Sequence, residues 1–313
     1  MPLSVTKPGI SLRATLPGGF RRAILSVLPF VSMPESTPFE IVSAHSPDSD
    51  DAFMFYGLAT KKIRSSRVTF RHVLSDIESL NRNAMEGVYD LSAISYHAYP
   101  YVADKYVLMA AGSSIGDGYG PLVVALHPME PEEIKGKKVA IPGTMTTAYL
   151  ALKIFEPDFI PVVVPFDKIL DTVQSGMAEA GLIIHEAQLT YNKVGFHRVL
   201  DMGKWWKEKY SLPLPLGANV LRRALPDEVK SECCRMMKES IQYALDNHSE
   251  AMEYALQFAR DMEPRLAEKF VGMYVNHYTI DAGDVIPKAA QLLLDKGYEV
   301  GVIPHKIQVE FAR

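Results

Sequence analysis

The chain has 313 residues, 48% hydrophobic and 22% charged, with 33 basic against 37 acidic residues and a formal net charge of -4. That balance fits a globular protein long enough for one large domain or two smaller ones. No basic stripe interleaved with aromatics occurs, which argues against nucleic acid as a partner, and no apolar run is long enough to span a bilayer.

Residues 1–38 contain Pro, Gly and Ser without a sustained period and read as a disordered or atypical extension that contributes nothing to a binding site. Within it, Arg21-Arg22 and the apolar run from Ala23 to Val31 have the outline of a signal peptide. No small-x-small site follows before the first strand, and the nearest, Val42-Ser43-Ala44, lies inside that strand. A cytoplasmic protein is therefore expected over an exported one. The adjacent Cys233 and Cys234 sit in a helical pattern, poorly placed for a mutual disulfide, which fits a reducing compartment.

The first strand runs from Phe39 to Ala44 and enters a loop, His45 to Asp51, rich in hydroxyls and carboxylates. A helix follows over 52–59, with Asp50 or Asp51 as its N-cap. Strand, polar loop and helix start together can receive an anion, although aspartates there repel one. Strand 68–73, helix 77–85 stopped by Gly87, and short strand 91–94 come next. The last leads into the polar cluster Ser95-Tyr96-His97-Ala98-Tyr99. After strand 106–111, the loop Gly112 to Pro121 is dense in glycine but lacks both the strand–GxGxxG–helix order and Gly-Lys-Ser/Thr. It reads as a close backbone approach to a ligand, or as a crossing between lobes.

Strands 122–125, 137–142 and 160–164 alternate with helices 147–155 and 166–173; Thr146 and Thr147 stand at the start of the former. The next stretch, Ala180-Gly181-Leu182-Ile183-Ile184, has the branched apolar character of a buried parallel strand. It ends in His185 and Glu186, which a protein interior accepts only with partners. Ligands bind at the carboxyl ends of such strands. A histidine there is placed for proton transfer near neutral pH, or is a hydrogen-bonded structural residue; the stretch alone leaves both readings open. Leu212 to Leu221, with Pro213 and Pro215, reads as a stiff return to the first lobe. From Asp227 onward the pattern is helical: 228–246, 249–260, 263–275 and 283–296.

Several blocks occur in a telling order: Ser46-Pro47 with Asp50 and Phe53-Met54-Phe55; Ser95-Tyr96-x-Ala98-Tyr99; Gly120-Pro121-Leu122-Val123; Thr146-Thr147-Ala148-Tyr149; Gly181-Leu182-Ile183-Ile184-His185-Glu186; and Leu212-Pro213-Leu214-Pro215-Leu216-Gly217-Ala218. Over residues 39 to 300 the chain thus resembles the 1,4-dihydroxy-6-naphthoate synthase family of the futalosine route to menaquinone. The resemblance implies an α/β, two-lobe, type 2 periplasmic-binding-protein-like fold with a ligand cleft between the lobes. On this sequence lobe I would be 39–122 plus 222–313 and lobe II 123–221. It also implies a carbon–carbon lyase that converts cyclic dehypoxanthinyl futalosine to 1,4-dihydroxy-6-naphthoate and dihydroxyacetone, with His185 as general base and without metal or cofactor.

Substrate contacts are expected from Ser46, Asp50, Ser95, Tyr96, Thr146, Thr147 and Glu186, with the two threonines holding a carboxylate. Burial lowers a histidine's pKa and a carboxylate such as Glu186 raises it, so for His185 the two are expected to offset. The family's first loop reads Ser-Pro-Cys-Pro-Asn-Asp-Thr, whereas this chain has Ser46-Pro47-Asp48-Ser49-Asp50-Asp51-Ala52, and His97 stands where a small residue is usual. Two other functions share the scaffold: non-catalytic capture of a small carboxylate, and dehydration of chorismate, which needs no histidine base in this block.

Overall fold

A computed structural model describes residues 37–259 and 263–313; the expectation for the amino-terminal extension lies almost wholly outside them. In chain order the strands are β1 (Phe39–His45), β2 (Val68–Leu74), β3 (Leu91–Ser95), β4 (Tyr106–Met109), β5 (Ser114–Gly116) and β6 (Leu122–Ala125). They continue as β7 (Lys138–Ile141), β8 (Ile160–Val163), β9 (Ala180–Ile183), β10 (His197–Asp201), β11 (Leu214–Arg222) and β12 (Phe311–Ala312).

They form two sheets. The first has the order β12-β4-β11-β3-β1-β2, with β5 also on β11; the second has the order β10-β6-β9-β7-β8. In the first, β1 runs parallel to both β2 and β3, while β11 is antiparallel to β3, β4 and β5. In the second, β7 runs parallel to β8 and β9, and β6 is antiparallel to β9 and β10. The chain leaves the first sheet after β5 and is back in it by β11. Leu214–Arg222 therefore pairs with first-sheet strands, as a stiff return to the first lobe would, although the lobe boundary was expected only after residue 221. Its nine residues and its continuous buried run from Ala218 to Leu221 let it sit between β3 and β4, covered on both faces. Pro215 is accommodated where the register against β5 shifts.

The largest apolar cluster runs from Ile94, Leu108 and Val220 in the first sheet to Val139 and Leu182 in the second. Trp206 and the helices Thr147–Phe155 and Val285–Glu299 contribute to it. A second cluster packs the helix Ser49–Ala59 against Asp227–Asp246, where Cys233 and Cys234 are buried and free. Strand β10 and the helix Met202–Tyr210 escape a reading of hydrophobic pattern. Their apolar residues are interleaved with Arg, Asp, Lys and Glu, and the helix is held by the Asp201 cap and the fully buried Trp206. Among the described residues no helix is long and apolar enough to cross a membrane.

Candidate active site

The carboxyl ends of β1, β3, β7 and β9 meet at one cavity, with an empty volume of about 780 Å³ including its mouth. Ser46, Asp48, Asp50 and Asp51 line it from beyond β1, Ser95 from β3, Thr146 and Thr147 from beyond β7, and His185 from beyond β9. This is the position where open α/β sheets bind ligands.

The loop after β1 is built by its own carboxylates. The N-cap of the helix Ser49–Ala59 is Asp48, not Asp50 or Asp51, and its side chain makes no capping bond. Instead Asp48 Oδ2 accepts from Ser46 Oγ at 2.7 Å and lies 3.1 Å from His185 Nδ1. Asp51 Oδ2 accepts from the Ser46 amide at 2.8 Å. Burial, then the neighbouring carboxylates, push the Asp50 carboxyl well above its usual range. The same burial raises Asp51 to about 6, against its bonds from Ser46.

His185 has φ +58°, a left-handed conformation that few non-glycine residues adopt and that histidine tolerates better than most. This bend turns the chain out of β9, and the ring packs edge-on against Phe166, 4.6 Å between centroids. Burial alone would lower its pKa, but the charge and hydrogen bond of Asp48, with Glu186 and Asp50, outweigh it and raise the pKa to about 9. The expected offset therefore fails. The carboxylate that acts most strongly on the ring comes from the loop after β1 in the other sheet, and pattern along one chain segment gives no sign of it.

Thr146 caps the helix Thr147–Phe155, accepting from the Tyr149 amide at 3.2 Å while its hydroxyl donates to the Gly143 carbonyl. The Thr147 hydroxyl donates to the Leu216 carbonyl at 2.7 Å and accepts from the His97 amide. Both hydroxyl protons are thus in use. What this helix start offers an anion is its first-turn amides, which have no intrahelical acceptor. Ser95 is held by the buried Asn81, which accepts from its amide at 2.7 Å and donates to its hydroxyl and to the Met145 carbonyl.

Two expected contacts fall elsewhere. Tyr96 is fully buried, bonded through its hydroxyl to Ser113 at 3.0 Å, and does not line the cavity. Glu186 begins the short helix Ala187–Thr190 and is also outside the lining. His97, too, is core: burial lowers its pKa to about 4, and it faces the Thr146 carbonyl. Conversely, Asp48, Asp51, Ser114, Gln188, Asn219 and Tyr274 line the cavity without having been anticipated. Asn219 donates to the Gly112 carbonyl at 2.8 Å, and its buried Oδ1 has no protein partner. Gly112, at φ +85°, is required there because a Cβ would lie 2.6 Å from Asn219 Nδ2. The advance signals were the density of carboxylates in the first loop and, for Ser114, the glycine-dense loop Gly112 to Pro121 read as a close approach to a ligand or a crossing.

Among the described lining residues only His185 can carry positive charge, and no Lys or Arg is present. Among the described residues, no group of three or more His, Cys, Asp or Glu side chains is arranged to hold a metal ion. The site is therefore a cleft with one imidazole, three buried carboxyl groups from the loop after β1 and the helix start behind it, and one helix start free of acidic side chains.

Two sheets whose strand ends face one cavity are the arrangement of periplasmic-binding-protein-like folds, and solved structures of that fold superpose on this chain. The alkanesulfonate-binding protein SsuA of Xanthomonas axonopodis superposes with a TM-score of 0.66 at 12% identity, over 88% of this chain and 97% of that one. A protein of Archaeoglobus fulgidus superposes with a TM-score of 0.81 at 45% identity, over 84% and 98%. The sequence model of a family described as menaquinone biosynthesis matches residues 41–299, and the chain belongs to that family. Its relatives include a 1,4-dihydroxy-6-naphthoate synthase of Thermus thermophilus, 41% identical over 239 residues, or 76% of this chain and 87% of the relative. Another, from Streptomyces coelicolor, is 34% identical over 270 residues, or 83% and 94%.

Proposed function

We propose that this protein is a 1,4-dihydroxy-6-naphthoate synthase, a lyase of menaquinone biosynthesis, with His185 as its general base. The observation that carries the reading is His185 itself: a histidine bent into the cleft at the end of β9 and held by a carboxylate across the cavity. The substrate would be cyclic dehypoxanthinyl futalosine, whose opened sugar presents a carbonyl. His185 takes the proton that the carbonyl acidifies, and the electron pair left on carbon moves toward the carbonyl oxygen. Loss of the three-carbon fragment as dihydroxyacetone then follows, driven by aromatisation of the new ring. With a pKa of about 9, the neutral base grows in as pH rises toward that value.

Two lobes, one per sheet, are part of this reading, with the second ending before Leu214 because β11 pairs in the first. The substrate carboxylate would meet the amides at the start of Thr147–Phe155, away from the aspartates. A cytoplasmic setting is also proposed, and the buried free thiols Cys233 and Cys234 are compatible with it. The fold supports a second reading, capture of a small carboxylate without chemistry, because below pH 9 His185 is a cation in a cleft. Incubation with the cyclic futalosine derivative decides between them. Formation of the naphthoate and dihydroxyacetone is expected, whereas saturable binding without product would establish the binder.

A further inference from the structure

We propose that Asp48 is the positioning residue of His185: its carboxylate keeps a proton on Nδ1 and so makes Nε2 the nitrogen that exchanges protons with the substrate. The inference rests on His185 being the base, and goes beyond it by naming what orients that base.

Three features converge on it. Asp48 Oδ2 accepts two bonds, from Ser46 Oγ at 2.7 Å and from His185 Nδ1 at 3.1 Å. The carboxylate is therefore itself held while it holds the ring, and its side chain is only 4% exposed. The imidazole is confined elsewhere as well, by the left-handed backbone at His185 and by the Phe166 ring edge-on at 4.6 Å. Finally, Asp48 occupies the N-cap position of an eleven-residue helix, yet its side chain makes no capping bond. A residue type favoured at N-caps for bonding to the first turn is here turned toward the histidine instead.

The chemical consequence follows from the ring's two nitrogens. A carboxylate accepts hydrogen bonds only, so its partner nitrogen must carry the proton in both charge states. Nε2 then alternates between lone pair and N–H. When it takes a proton from substrate carbon, the new imidazolium charge lies beside Asp48, and no proton passes to the carboxylate. The ionisable groups facing the ring are Asp48, Asp50 and Asp51 from the first sheet's loop and helix start, and Glu186 from its own segment. Of their charges Asp48 acts most strongly on the ring, and it adds a hydrogen bond to it.

The test compares full-length parent and Asp48→Asn by nitrogen NMR of the His185 ring and by the pH–rate profile with the cyclic futalosine derivative. The parent should show the Nδ1–H tautomer and a His185 pKa near 9. In Asp48→Asn that pKa should fall by roughly one to three pH units, carrying the ascending limb of the rate profile to lower pH. The plateau rate should drop on the order of 10²-fold. If Asp48→Asn does not fold, Asp48→Ser serves for the same measurements.

A His185 pKa and tautomer unchanged in a folded variant would overturn the proposal. So would a lowered pKa with an undiminished plateau rate, which would leave Asp48 tuning charge without positioning the ring. If the parent makes no naphthoate, the activity reading fails by itself. The NMR comparison, which needs no substrate, still decides whether Asp48 governs the ring.

Discussion

Two helices point their amino termini at the same cavity, and they do opposite things there. Ser49–Ala59 begins after β1 with Asp48 at its N-cap and Asp50 and Asp51 in its first turn. Thr147–Phe155 begins after β7 with Thr146 as a bonded cap and no acidic residue in its first turn. Both starts carry the partial positive charge of aligned peptide dipoles. In the first, that field meets carboxylates of the chain itself. It is worth about 0.3–1 kcal/mol near a surface, whereas burial and mutual repulsion can move a carboxyl by several pH units, and so Asp50 and Asp51 are raised despite it. In the second, the field is left for a ligand. A helix start is therefore not in itself an anion site; what its own first turn carries decides. In the function proposed above, one start serves proton chemistry and the other anion binding.

The largest effect is expected at the acidic side. His185→Asn keeps a polar side chain of similar reach and removes the basic nitrogen, which should reduce turnover on the order of 10²–10⁴-fold. Substrate affinity, measured by calorimetry, should change far less, because the proposed anion contacts lie at the other helix start. Turnover at the parent rate would assign the base to another group and dissolve the division of labour between the two helix starts.

Smaller, and opposite in sign, is the effect of relieving the acidic cluster. Asp51 is raised from 3.8 to about 6 in the folded protein. The stability this contributes is fully present below pH 3.8 and lost as pH rises through about 6. Asp51→Asn, whose amide oxygen can still accept from the Ser46 amide, should then be the more stable protein above pH 6, by on the order of 1–3 kcal/mol. Melting temperatures at pH 4 and pH 8 would show it; an advantage equal at both would mean that charge is not its origin. His185 adds a second window. Raised to about 9, it contributes stability that is complete below pH 6.5 and declines as pH passes through 9.

The smallest effect belongs to the neutral start. Thr146→Ala removes the bond to the Tyr149 amide and should lower stability by about 1 kcal/mol, as lost caps typically do. Carboxylate binding should weaken with it as the first turn frays. A variant with parental melting temperature and parental affinity would show that this helix start is not the anion site.

Much of the scaffold could be read from the chain alone. Branched apolar runs, each closed by Gly, Pro or a polar cluster, located β1 to β4, β6 to β9 and the long carboxyl-terminal helices to within a few residues. They also set Ser46, Ser95, Thr146 and His185 at strand ends or helix starts. These features depend on backbone preference and on which residues shun water, both local properties. Only the tertiary structure decided which side chains meet. It paired His185 with Asp48 rather than Glu186, turned Tyr96 into the core toward Ser113, and used Asn81 to hold Ser95. It also spent both threonine hydroxyls on backbone carbonyls and left Asn219 facing the cavity. Each of these depends on how far apart and at what angle two sheets come to rest. A change of a few ångströms makes or breaks a hydrogen bond without altering the periodicity of any strand.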